Sequence, residues 1–134
     1  MAPRATDLVL SLMTFLWFPI LLFRASAQRY GIATFYTSPY KPSACYGFED
    51  QGVMIAAASE AIWNGSTTCG QHYQVTCLSR MNLGVPKPCR GSALVVMQIV
   101  DRCPANACRG TIHLSQEASA SIAVPNAGAI NINY

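Results

Sequence analysis

The chain has 134 residues, of which only 11% are charged, and a net charge of +3. That length suits one domain, and so weak a charge gives no sign of the phosphate-neutralising surface that nucleic-acid binding needs. So few charges in a small apolar chain also mean that covalent cross-links carry much of its stability.

Residues 1–27 read as a secretory leader rather than as part of the fold. Arg4 supplies a positive start, and Leu8 to Phe23 is an apolar run of sixteen residues broken by Pro19. Ala25-Ser26-Ala27 has the small-x-small pattern of a cleavage site, so Gln28 begins the mature chain. Sixteen residues fall short of the roughly 20 that a membrane span requires. The domain reading is therefore a signal peptide over 1–27 and one domain over 28–134, with no second segment long enough to span. Removing Arg4, Arg24 and Asp7 from nine bases and six acids leaves seven and five, a mature charge of +2. That permits loose, easily screened attraction to acidic polymers.

Tyr30 to Tyr36 alternates and is rich in aromatic and β-branched residues, which predicts a strand. Ser38 to Ser43, with Pro39 and Pro42, is loop. Ala56 to Trp63 predicts a short helix, stopped by Asn64-Gly65. Tyr73 to Cys77 predicts a strand with Tyr73, Val75 and Cys77 on one face and His72, Gln74 and Thr76 on the other. Met81 to Gly91 holds two prolines and two glycines and is loop. Ala93 to Val100 is almost wholly apolar and predicts a strand buried on both faces. Thr111 to Leu114 is a further strand. Ser115 caps a helix over Gln116 to Ala123 that stops before Pro125. Ala129 to Tyr134 alternates and closes the fold as a strand. Many short strands with turns between them suggest a small closed β structure, which leaves no exposed edge beside Val95-Val96-Met97.

Six cysteines, Cys45, Cys69, Cys77, Cys89, Cys103 and Cys108, follow the leader. An even number in an exported chain reads as three disulfides, although six cysteines permit 15 pairings. Cys103 and Cys108 flank a turn-rich Pro-Ala-Asn-Ala stretch and are natural neighbours. Cys77 and Cys89 bracket the proline-rich loop, which leaves Cys45 and Cys69. No C-x2-C pair is present and the two histidines stand apart from any such pair, so no metal or other cofactor is expected.

Several segments together resemble a known family. Ala33-Thr34-Phe35-Tyr36, Ala44-Cys45-Tyr46-Gly47, and Ala61 to Gly65 running on to Cys69-Gly70, Tyr73, Val75 and Cys77 are similar to expansin motifs in the same order. Ile99-Val100-Asp101 and Leu114-Ser115 match the two central strands. The resemblance is nearest to the small plant proteins called endoglucanase-45-like, or plant natriuretic peptides. It implies a mainly β, six-stranded double-psi β-barrel with one or two short helices and three disulfides. It also implies secretion to the apoplast and a role in water and ion balance. The family's pairing supports Cys45–Cys69 and Cys77–Cys89, leaving Cys103–Cys108. Expansins carry a second, wall-binding domain; this chain reaches Tyr134 as the barrel closes, so wall loosening is not expected.

Cleaving a glycosidic bond normally needs two carboxyl groups on either side of it. In the resembling endoglucanases one acid follows the first strand, where this chain reads Tyr36-Thr37-Ser38-Pro39. The other lies in a His-Phe-Asp-Leu-Ser step, matched here by Thr111-Ile112-His113-Leu114-Ser115. The expectation is therefore a barrel that is not an enzyme. A residual hydrolase would have to work with Asp101 alone. Thr34, Tyr36, Asp101 and His113 are the candidate groove residues, with Asp101 equally suited to capping a turn. Trp63 either stacks on sugars beside Tyr36 or belongs to the core. His113 is a candidate pH switch or a plain replacement for an acid. His72 reads as a solvated face residue, and Asn64-Gly65-Ser66 is a glycosylation sequon. Two partners fit a monomer of this kind. One is a cell-surface receptor reading the loop from Thr37 to Gly52, as in a signalling role. The other is a cell-wall polysaccharide bound without hydrolysis.

Overall fold

The computed structural model describes residues 28–81, 84–91 and 93–134. The leader and its cleavage after Ala27 lie outside the described residues. The strands are β1 (Tyr30–Tyr36), β2 (Ile55–Ala58), β3 (His72–Arg80), β4 (Leu94–Arg102), β5 (Ile112–Ser115) and β6 (Ile130–Asn133). Two short helices, α1 (Glu60–Trp63) and α2 (Gln116–Ile122), and a 3-10 turn at Pro125–Ala127 connect them. Among the described residues no helix is long and apolar enough to cross a membrane.

The strands close in the order β1-β5-β2-β4-β3-β6, with β6 returning antiparallel to β1. Two pairs are parallel, β1 with β5 and β2 with β4. Closure gives every strand two neighbours, so no edge is left to recruit another chain. Period-two alternation fills the interior. Ala33, Val75, Met97, Ile99, Ile112, Leu114, Ile130 and Ile132 are all buried there. Each large apolar side chain removed from water in this way contributes about 1.5–3 kcal/mol. Helix α2 packs on β4, β5 and β1 and seals the core with Ala118 and Ile122. Its first turn is capped as expected, with Ser115 Oγ accepting from the Ala118 N–H at 3.0 Å.

Three expectations from sequence are corrected. Residues 56–58 are strand, not helix, and only Glu60–Trp63 is helical. β2 lies between β4 and β5 with all four residues buried. Pairing on both sides and burial there override the helix preference of alanine. β4 is not buried on both faces: Val95, Met97 and Ile99 point inward, while Leu94 and Val96 are 46% and 52% exposed. The alternation is the ordinary one for a barrel wall; apolar residues simply occupy both faces. Third, the structure contains two disulfides rather than three. Cys45–Cys69 and Cys77–Cys89 are formed, while Cys103 and Cys108 are adjacent free thiols. The loop between them folds on itself, the Ala107 and Cys108 N–H groups both donating to Pro104 O at 2.9 Å. That turn brings Cys108 back beside Cys103 without joining them.

Candidate functional site

Strand register assembles one row across the outside of the barrel. Thr34 on β1 is paired with His113 on β5, His113 with Ala57 on β2, and Ala57 with Asp101 on β4. Paired residues share a face, so all four lie outside the core lined by their neighbours Ala33, Ile112, Leu114, Ala56 and Ala58. Four strands at about 4.8 Å spacing make a row of about 14 Å. Tyr36, two residues beyond Thr34, lies on the same face. All four candidate residues, Thr34, Tyr36, Asp101 and His113, are thus brought together.

A β-bulge places the acid. The β2–β4 register shifts between Ala56 and Ala57, so Ala56 opposes Ile99 while Ala57 opposes Asp101. Val100 is the extra residue. In a regular ladder Val100 would stand opposite Ala57, and Asp101 would fall on the other face. The Asp101 carboxylate accepts two backbone N–H groups at Oδ1, from Ala44 at 2.9 Å and Arg102 at 2.8 Å. Beside it the Cys45 N–H donates to Val100 O at 2.9 Å. Asp101 therefore does clasp a loop to the wall while lining the row. The Arg102 guanidinium pairs with Glu60, away from the row.

At the other end of the row, rings dominate. Thr34 Oγ1 lies 2.5 Å from His113 Nδ1. The Tyr36 ring stacks on the His113 ring, with centroids 4.9 Å apart and planes 9° from parallel. Tyr40 meets Tyr36 edge-on at 5.2 Å. Tyr40 is held in turn by Glu117, whose carboxylate accepts its hydroxyl proton, and by the Gln116 N–H, which donates to its oxygen. Burial lowers the His113 pKa and favours the neutral ring. Burial also pushes the Tyr36 phenol well above its ordinary value, and the Asp101 charge adds to the effect. The Tyr36 hydroxyl is buried and has no hydrogen-bond partner among the described residues.

Beneath this face lie the two thiols. Burial pushes the Cys103 thiol up to about 12, with its hydrogen bond to Cys108 contributing next. The donor atoms of Cys103, Cys108 and His113 all lie within 4.8 Å of one another. The sequence carries no C-x2-C pair, and it is the fold that brings a histidine to these two cysteines. Between Cys108 and His113 the chain passes close to β1 at Gly110, where a Cβ would sit 2.7 Å from Ile32 O. Only glycine lets the chain turn from the cysteine loop straight into β5 alongside β1.

The remaining candidates fall elsewhere. Trp63 packs against the core, and His72 is exposed on β3. Asn64 is exposed in a left-handed conformation at the end of α1, so its sequon is open to solvent. Sequence reasoning missed Tyr40 and Glu117; a tyrosine set between Pro39 and Pro42 was the available signal. These two residues also line a cleft of about 340 Å³ between the 38–53 loop and the barrel, together with Lys41, Glu49, Asp50 and Val100. The cleft adjoins the row through Tyr40 and does not overlap it.

A family profile described as lytic transglycolase matches residues 55–134. An EG45-like domain containing protein of Citrus jambhiri is 55% identical over 104 residues, covering 78% of each chain. The chain belongs to the EG45-like domain family. A further EG45-like domain containing protein, from Arabidopsis thaliana, is 49% identical over 115 residues, covering 86% of this chain and 89% of that one. Among solved structures, apo Clavibacter michiganensis expansin superposes with a TM-score of 0.58 at 23% identity, over 80% of this chain. The EG45-like chain spans 48% of that expansin's length, and the likeness is one of fold. A point mutant of the same expansin, in complex with cellohexaose, superposes equally well. The six-stranded expansin-like double-psi barrel expected from sequence is thus the observed fold.

Proposed function

We propose that this EG45-like barrel is a secreted, extracellular protein that binds cell-wall polysaccharide on the Thr34–Asp101 row and does not cleave it. The observation that carries the reading is the row itself: stacked rings at one end, a carboxylate at the other, and polar groups between. Sugars are recognised by rings under their apolar faces and by charged or polar groups at their hydroxyls. The expansin whose fold it shares was crystallised with cellohexaose. The row's composition supports a reading without cleavage. Asp101 is the one acid in it, and the position two strands away, about 10 Å along the sheet, is occupied by His113 rather than a second carboxyl group. An imidazole there is not the second carboxyl group that a two-carboxylate mechanism uses.

Retention on cellulose or by cellohexaose tests the reading. Tyr36→Ala and Asp101→Asn, each checked for an intact fold, should weaken binding several-fold, and no reducing sugar should be released. Undiminished binding in both variants would place the ligand elsewhere. Reducing-sugar release abolished by Asp101→Asn would make the protein an enzyme.

A signalling role in water and solute homeostasis is a second reading, for which the loop preceding β2 speaks. Phe48 is 80% exposed there, and Val53 and Met54 are also open to solvent. Such a surface suits a receptor better than a sugar. A cell-swelling or ion-flux assay with Phe48→Ala and Tyr36→Ala separates the two: a receptor read through the loop responds to the first variant alone.

A further inference from the structure

We propose that Cys103, Cys108 and His113 form a binding site for a thiophilic metal ion of the zinc class. The three donors follow the spacing C-x4-C-x4-H. Two come from a self-folded loop and the third from a rigid central strand. Around a tetrahedral zinc, bonds of about 2.3 Å to sulfur and 2.0 Å to nitrogen set two thiolates about 3.8 Å apart and the nitrogen about 3.5 Å from each. Donors already within 4.8 Å need closing by no more than about 1.3 Å to reach that geometry.

A disulfide would use the two sulfurs alone. An ion uses all three. The histidine is also oriented as a metal-binding ring should be. Thr34 Oγ1 engages Nδ1 and so fixes the plane of the ring. Tyr36 stacks flat against the same ring and blocks its rotation. Three protein ligands leave a fourth position, and the buried, unpartnered Tyr36 hydroxyl lies on this face. Binding of a divalent ion releases both thiol protons to solvent, so two thiolates balance its charge. The site would couple the cysteine loop to the row, because His113 belongs to both.

The test uses the folded chain with Cys45–Cys69 and Cys77–Cys89 intact and Cys103 and Cys108 as free thiols, metal-free under anaerobic conditions and titrated with Co2+ as a spectroscopic probe. One equivalent should produce thiolate-to-cobalt charge-transfer absorption and tetrahedral visible bands, both abolished by added Zn2+. Cys108→Ser and His113→Gln, each with an unchanged far-ultraviolet dichroism spectrum, should lose the tetrahedral spectrum. Thr34→Val should keep it with affinity lowered about 10- to 100-fold. The proposal is overturned if no charge-transfer band appears while two thiols titrate, or if the bands survive in His113→Gln. It is equally overturned if protein secreted in the presence of zinc carries a Cys103–Cys108 disulfide and no metal. Polysaccharide retention is a separate readout, and none of these outcomes decides it.

Discussion

Replacing Tyr36 by Phe deletes one oxygen and keeps the ring. The stack on His113 and the edge contact with Tyr40 both survive, and such ring pairs are worth about 0.5–1.5 kcal/mol each. What disappears is a hydroxyl that is buried and has no partner among the described residues. Holding such a group away from water without a hydrogen bond costs about 1–3 kcal/mol. The variant should therefore be more stable than the parent, by at least about 1 kcal/mol. In a domain of about 100 residues that corresponds to a gain of about 4–8 °C in Tm. Thermal melts followed by circular dichroism, without added metal, measure it directly. Tyr36→Ala provides the contrast, because it also loses the ring contacts and should melt below the parent. If Tyr36→Phe melts lower than the parent, the hydroxyl holds a stabilising partner in the folded state and the reasoning fails. A polar group kept at a stability cost on a ligand-facing surface is common at functional sites.

Gly110→Ala would bring a Cβ to 2.7 Å from Ile32 O, a backbone atom that cannot swing aside. A loss of about 1–3 kcal/mol is expected from such overpacking, and an unmoved urea midpoint would contradict it. Because burial lowers the His113 pKa below 6.5, the unfolded chain takes up a proton first as the pH falls. The stability associated with neutral His113 is complete above about pH 6.5 and declines as the pH drops through the lowered value. Urea titrations at pH 8 and pH 5 should show this decline flattened in His113→Gln; equal slopes would remove the histidine from the explanation. Reduction opens two loops, with sequence separations of 24 and 12 residues, at about 3 kcal/mol each. Against a net stability of about 5–15 kcal/mol, the reduced chain should lose its cooperative transition near 37 °C, and a sharp, unshifted melt under strong reductant would disprove this.

Local pattern made much of the barrel legible. β1, β5 and β6 follow alternation directly, and Ser115 announces α2 through its capping chemistry. The four row residues could also be named from sequence, because each lies in a strand segment with a recognisable family motif. The errors came where the environment outweighed the pattern. Alanines that favour a helix in isolation became a strand because β4 and β5 enclose them. Leu94 and Val96 are apolar yet outward, since composition alone does not say which face of a strand meets the core.

Residue type, short spacing and motifs read in order were enough for the closed β architecture, two of the cysteine pairings and the scarcity of acids. Which distant residues share a surface was left to the folded barrel. A single bulge residue, Val100, turns Asp101 toward Ala57, and the parallel β1–β5 register sets Thr34 against His113. The convergence of His113 with Cys103 and Cys108 has the same origin: strand register is a long-range property, and no window of neighbouring residues contains it.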